Sequence, residues 1–353
     1  MKRHKICKII LAILAVFLCV AFYELIGICI TYKKQPAVSD ATIKETQNIM
    51  SVAGRENTER AVIIEKNSQA LLERVRLIQN AKDEIILSTF AFKSDESGKL
   101  ILGALHDAAD RGVHVRILVD GMESWIDMEG NPYFYGLSSH ENVEIKLYNK
   151  ANPLKPWKTM GRMHDKYLIA DGKIYILGGR NTYNYFLGDF PGHKNFDRDV
   201  LVVCDEPQKD NSVNQLWNYF ETIWEQEDCR YFHNSKKLAD RQSVKKAVLE
   251  LQEGYQQYFE VNKEKICDTD YADETFETEK ITLLSNPIHT QAKEPVVWYQ
   301  LGELMKNAKE RVKIHTPYII CNDMMYNTWE EIAQKVPDFS IMTNSVANNG
   351  NPF

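Results

Sequence analysis

A histidine and a lysine two residues apart, His164 and Lys166, head the segment best suited to chemistry. It reads Met163-His-Asp-Lys-Tyr-Leu-Ile-Ala-Asp-Gly-Lys-Ile-Tyr-Ile-Leu-Gly-Gly-Arg-Asn181. On an extended chain, side chains two apart share a face, so the two bases point the same way. Residues 167–170 and 173–177 are strand-like, and Asp171-Gly172 between them is a hairpin turn signal. Gly178 and Gly179 then remove side chains where another group can approach the backbone closely. Asn181 adds an amide. A His, a Lys and an Asn beside bare backbone suit an anionic phosphate. Lys166 supplies charge, Asn181 supplies donors, and His164 can attack or move a proton.

The surrounding elements must hold these groups. A helical stripe runs from Ser68 to Asn80 through Leu71, Leu72, Val75 and Ile78. Residues 84–92 read as a buried strand, Ser97 to Arg111 as a helix stopped by Gly112, and 113–119 and 143–148 as further strands. Strand, helix, strand in this order predicts an α/β fold with a partly parallel sheet. The segment Leu77-Ile-Gln-Asn-Ala-Lys-Asp-Glu-Ile-Ile-Leu-Ser-Thr89 returns as Leu304-Met-Lys-Asn-Ala-Lys-Glu-Arg-Val-Lys-Ile-His-Thr316. Val115–Val119 returns, at a similar offset, as Phe339–Thr343. Two matches in order indicate a duplicated domain.

The segment around His164 resembles the phospholipase D superfamily, whose signature is HxKxxxxD, six residues, then GGxN. His164, Lys166, Asp171, Gly178, Gly179 and Asn181 occupy every fixed position. The resemblance extends from about Ser68 to Ser345. Asn80-Ala-Lys82, Arg111-Gly-Val-His-Val-Arg-Ile-Leu-Val-Asp120, Phe196-Asp-Arg-Asp-Val-Leu201 and Thr316-Pro-Tyr318 look like the cardiolipin synthase and bacterial phospholipase D branches. It implies a duplicated α/β/α sandwich with a mixed sheet and a set His164, Lys166, Asp171, Asn181 and Asp197. His164 would form a phosphohistidine or act as the acid/base partner of the residue that does. Lys166, Gly178, Gly179 and Asn181 would bind phosphate. Asp171 would hold the motif's geometry, a role compatible with a plain turn residue. Asp197, with Asp199 as the alternative, would orient the His164 ring. No metal or other cofactor is implied. His114, His193 and His315 fall outside the pattern and read as structural.

Composition narrows the substrate. The 353 residues carry a formal charge of −6, with 44% hydrophobic and 26% charged residues, as in an ordinary globular protein. Net acidity disfavours nucleic acid as the main partner, because phosphate contacts need Lys and Arg. Residues 9–32 are an apolar run broken by Glu24, long enough to cross a ~30 Å hydrocarbon core. Lys2, Arg3, Lys5 and Lys8 before it, against Lys33 and Lys34 after it, predict a cytoplasmic N-terminus and an extracytoplasmic remainder. Lys150, Lys155, Lys158 and Arg162, with Trp157 among them, read as a solvated basic loop, with contact to lipid headgroups as the other reading. Seven cysteines show no metal-ligand spacing, and four outside the span are free to pair in ways the sequence does not define.

The expected organisation is an anchor at 1–34, a stalk at 35–67, a first repeat at 68–265, an acidic exposed linker at 266–285, and the start of a second repeat at 286–353. At the repeat's offset a second catalytic histidine is expected near position 390 or so. The chain thus reads as the front part of a protein of about 500 residues. Its expected partners are a phospholipid, the membrane, and a second motif from the missing region or from another copy. The leading expectation is a membrane-anchored phospholipid phosphodiesterase or phosphatidyltransferase, inactive in this short form. The competing ones are a single-motif endonuclease working as a dimer and a non-catalytic membrane protein.

Overall fold

The computed structural model describes residues 2–51 and 59–345. The helices are α1 (Lys2–Tyr32), α2 (Asp40–Ser51), α3 (Asn67–Asn80), α4 (Glu96–Asp110), α5 (Gly121–Asp127), α6 (Pro132–Ser138), α7 (Ser212–Trp224), α8 (Lys236–Ala239), α9 (Gln242–Ile266), α10 (Val296–Lys306) and α11 (Asp323–Lys335). The strands are β1 (Arg60–Ile64), β2 (Glu84–Thr89), β3 (His114–Asp120), β4 (Val143–Tyr148), β5 (Tyr167–Ala170), β6 (Ile174–Gly178), β7 (Asp199–Val203), β8 (Cys229–Tyr231), β9 (Phe276–Glu277), β10 (Arg311–His315) and β11 (Asp338–Met342). They fall into two units. One holds residues 2–32, 59–283 and 288–291; the other holds 33–51, 284–287 and 292–345.

The first unit is built on a nine-stranded mixed sheet in the order β8-β4-β3-β2-β5-β6-β7-β1-β9. β2, β3 and β4 are parallel, and every other pairing is antiparallel. Alternation along each strand feeds two cores. Ile85, Leu87, Val115, Ile117, Leu168 and Ala170 pack with α3, α4, α6 and α9. Ile86, Leu118, Tyr167, Ile169 and Val202 pack with α7 through Val213, Leu216 and Phe220. This near-continuous apolar run, alternating between two covers, is the signature of strands buried on both faces. α4 starts at Asp95, whose carboxylate accepts from Gly98 N at 3.1 Å, and ends before Gly112 at φ +95°.

The second unit repeats the first unit's opening motif. β10 and β11 are parallel, and Val312 faces Phe339 as Ile85 faces Val115 in β2 and β3. The register therefore matches the sequence repeat. α11 is capped by Asn322, which accepts from Met325 N at 3.0 Å as Asp95 does for α4.

The segment expected as a stalk is partly helical, and it is packed. α2 buries Thr42 and Thr46 within the second unit, where Glu294 accepts from Ser39 N (2.8 Å) and Thr42 Oγ1 (2.6 Å). Arg60–Ile64 is a sheet strand, paired with β7. The acidic segment is an exposed loop, as expected, held down at Tyr271 and Thr275, which are buried. Buried Arg76 binds the carbonyls of Asp268 (2.7 Å) and Asp270 (3.0 Å) and the Glu274 carboxylate (2.9 Å), and lies 3.9 Å over the Tyr271 ring. The acids fold onto a cation that α3 buries. Parts of the expected stalk (52–58) and second repeat (346–353) lie outside the described residues. The cysteines are free thiols, with Cys204 and Cys229 buried.

Candidate active site

The site forms at one edge of the sheet, where the parallel strands end. Crevices beyond the carboxyl ends of such strands are where α/β sheets bind ligands. Phe90 follows β2, Asp120 ends β3, His164 and Lys166 precede β5, Gly178 to Asn181 follow β6, and Asp197 precedes β7. Phe90 was expected inside a longer strand; it leaves the sheet after Thr89 and turns toward the site.

His164 and Lys166 share one side. The Phe90 ring meets the His164 ring edge-on with centroids 4.5 Å apart, and the Lys166 Nζ lies 5.4 Å from the same Phe90 centroid. Asp165 between them turns the other way and accepts from the Tyr219 hydroxyl of α7 at 2.7 Å. Lys166 is 6% exposed, and its Nζ donates to the His164 carbonyl at 2.6 Å. Burial pushes its pKa down to about 8, against the pull of Asp165, Asp197 and Asp120. Burial also lowers the pKa of His164, with Lys166 and Arg162 acting in the same direction and Asp120 opposing. The ring is thus held neutral at neutral pH, the form with a free lone pair. Asn181 is buried, and its Oδ1 accepts from Ala91 N at 3.2 Å, which leaves its NH₂ as the donating end.

Asp171 is at the far end of the hairpin, with φ +52°, followed by Gly172 at φ +60°. Its carboxylate accepts from the amides of Lys82 (2.9 Å), Asp83 (2.8 Å) and Glu84 (2.9 Å). It ties the hairpin to the start of β2, at the opposite end of β5 from Lys166.

The two glycines serve a different purpose from the one expected. A Cβ on Gly178 would lie 2.0 Å from Asp199 Oδ1, and one on Gly179 would lie 2.1 Å from Asp197 Oδ2. Their amides donate to Lys166 O (3.2 Å) and Arg198 O (3.4 Å). The group that approaches the bare backbone is therefore the chain's own 197–199 segment. Gly178 and Gly179 shape the site without presenting free amides to a phosphate.

Asp197 accepts from Arg198 N at 2.7 Å, and its charge acts on Lys166. Among the described residues it makes no bond to the His164 ring. Asp199, the alternative, is buried under Arg74 (3.0 Å) and Arg180 (3.3 Å) and belongs to the core. Arg180, the variable residue of GGxN, is buried and also binds Asn67 Oδ1 (3.1 Å) and Glu65 O (2.6 Å). Sending Arg180 inward is what turns its neighbour Asn181 toward the site.

Sequence reasoning assigned no role to Asp120. It is buried, caps α5 through Met122 N (3.0 Å), and accepts from Arg162 Nε (2.9 Å) and Met163 N (3.1 Å). It pins the residues just before His164. The signal was present in the sequence as an Asp-Gly pair closing a strand, a helix N-cap signature.

Residues 75–224 match the family model described as cardiolipin synthase, PLD-like domain. That segment is a phospholipase D-like domain. The chain is 29% identical to cardiolipin synthase C of Escherichia coli (strain K12) over 154 residues, 40% of this chain and 31% of that protein. It is 27% identical over 320 residues, 83% of this chain, to an uncharacterized protein of Helicobacter pylori (strain ATCC 700392 / 26695). It spans 60% of that relative's length. Phosphatidylserine synthase of Haemophilus influenzae shares the fold, with a TM-score of 0.55, 13% identity, and coverage of 86% of this chain and 66% of that one.

Proposed function

We propose that this chain carries one catalytic motif of a phospholipid phosphatidyltransferase or phosphodiesterase working through a phosphohistidine. The observation that carries the reading is a buried lysine beside a histidine held neutral, both against Phe90. A neutral His164 ring nitrogen attacks phosphorus as the P–O bond to the leaving alcohol breaks. Lys166 and the Asn181 NH₂ bind the non-bridging oxygens, whose charge grows in the transition state. Asp197 turns to the far ring nitrogen and fixes the tautomer once substrate is bound, since such bonds often tighten only then. Water or a lipid hydroxyl then displaces the imidazole.

Both steps need a second acid/base group, first to protonate the departing alcohol and then to deprotonate the acceptor. We assign that role to a further histidine motif, from a longer protein or a second copy, so that residues 1–353 alone do not turn over. The apolar helix α1 is read as a single-pass anchor with the N-terminus cytoplasmic; an 18-residue window within Lys5–Tyr32 has a mean hydropathy of 2.8. A phospholipid in that membrane is the substrate, and nucleic acid is not.

Product analysis with phosphatidylglycerol tests this. Cardiolipin plus glycerol indicates transfer, and phosphatidic acid indicates hydrolysis. Turnover by residues 1–353 as a monomer, lost in His164→Ala, would remove the requirement for a second motif. A lipid-inert assembly containing both motifs would sink the reading as a whole.

A further inference from the structure

The loop leading into His164 packs on the C-terminal part of α1. The Tyr23 hydroxyl donates to Leu154 O at 2.9 Å, and the Tyr23 ring meets Trp157 edge-on with centroids 5.3 Å apart. A Cβ on Gly27 would lie 2.2 Å from the Trp157 indole, so the indole rests on the helix backbone there. Higher up, the Tyr32 hydroxyl donates to Trp157 O (3.4 Å) and Thr290 O (2.8 Å).

The composition of α1 sets the level of this contact, given the reading of α1 as a span, on which the inference rests. Glu24 is costly in hydrocarbon and is placed at the outer boundary, so that residues 25–32 of the apolar run continue into the headgroup layer. From Lys5 to Glu24 a helix rises about 28 Å, close to the ~30 Å hydrocarbon core. Tyr23 and Trp157 thus stand at the depth where membrane interfaces collect aromatic rings. Leu154 is 77% exposed and Met160 61% exposed beside them. Trp125 and Ile126 are also exposed on α5, whose capping Asp120 binds Arg162 at the end of the same loop. Three of the loop's four basic residues are paired with carboxylates. Lys158 is 3.0 Å from Asp228, Arg162 is 2.7 Å from Asp120, and Lys150 is 4.0 Å from Glu129.

We propose that residues 154–160 and the end of α1 form one bilayer-docking surface, which holds the catalytic edge of the sheet in the headgroup layer. Met160 is four residues from His164, at most about 14 Å of chain. The helix end therefore acts as a short rigid mount, and the phosphate offered to His164 is that of a bilayer lipid, not of a soluble ester.

The test uses the full chain reconstituted in phosphatidylcholine–phosphatidylglycerol vesicles with brominated phosphatidylcholines. The Trp157 contribution is the fluorescence difference from Trp157→Phe. Bromines near the ester end should quench it about twofold, and bromines near the chain terminus should quench it less. Gly27→Leu, which fills the space of the indole, should remove at least about half of that quenching while the far-UV circular dichroism stays unchanged. In an assembly that turns over, Gly27→Leu should slow vesicle phosphatidylglycerol about tenfold and leave a short-chain, monomeric analogue unaffected. A Trp157 signal indifferent to bromine at both depths, or quenched best by the deep bromine, overturns the proposal. Quenching without lipid turnover by the assembly upholds docking and removes the catalytic reading; turnover without quenching does the reverse.

Discussion

At its turn, the β5–β6 hairpin has one carboxylate, Asp171, taking three backbone amides. At its open end it has one ammonium, Lys166, buried with the His164 carbonyl as its hydrogen-bonded acceptor. The turn satisfies its polar groups fully, so it stabilises the fold. The open end keeps a cation short of partners, so it opposes folding and is ready for an anion. Acceptor oxygens, such as those of a phosphoryl group, are what this ammonium lacks. The difference separates residues that build the motif from residues that use it, although the spacing of the signature treats them alike.

The largest effect that would break this contrast is at His164. In an assembly that turns over, His164→Ala should lower the rate roughly 10⁴-fold or more. Its melting temperature should hardly change, because His164 is an exposed residue. A large stability loss would place His164 among the building residues.

Lys166→Met should act in opposite directions on the two properties. Activity should fall about 10³-fold. Stability at pH 7 should rise by up to about 3 kcal/mol, because a folded pKa of about 8 against 10.5 opposes folding by that amount. The sign follows from linkage. The penalty is full below pH 8 and shrinks as the pH rises to 10.5, above which folded and unfolded lysines are both neutral. Urea titrations at pH 7 and pH 10.5 would show the variant's advantage shrinking. The same shift predicts that wild-type activity rises as His164 deprotonates and falls again near pH 8 as Lys166 does.

Asp171→Ala should cost about 2 kcal/mol in urea unfolding by leaving amides unpaired. Asp171→Asn should recover part of it, since Asn tolerates the left-handed turn and keeps one acceptor. The smallest effect is expected from Gly179→Ala. The new methyl meets the Asp197 carboxylate, at a cost of about 1 kcal/mol. Moving that charge from Lys166 lowers the lysine's pKa further, so the alkaline limb should shift to lower pH, by less than about one unit.

The hairpin was legible because its information is local: alternating bases, a turn dipeptide, and glycines at set distances. The strands at 84–89, 114–120 and 143–148 were legible as apolar runs bounded by polar turns. What escaped depends on chain segments that meet only after folding. Asp120 gains its role when Arg162 and Met163 return to it 42 and 43 residues later. Arg180 looked like a spacer and is buried because Asn67 and Asp199 converge on it. Arg60-Ala-Val-Ile-Ile64 is too short and too near a polar stretch to declare itself a strand; its pairing with β7 does so. The glycine pair was legible as a close approach, but not what approaches.

The sheet edges have a consequence for handling the protein. The nine-stranded sheet ends in β8 and β9, three and two residues long, so little unpaired backbone is left for another chain to join. Among the described residues, β10 and β11 pair only with each other, and each presents a five-residue outer edge. Misassembly between copies at high concentration should therefore begin at β10–β11. A lysine or proline placed on that edge should improve solubility without touching the first unit.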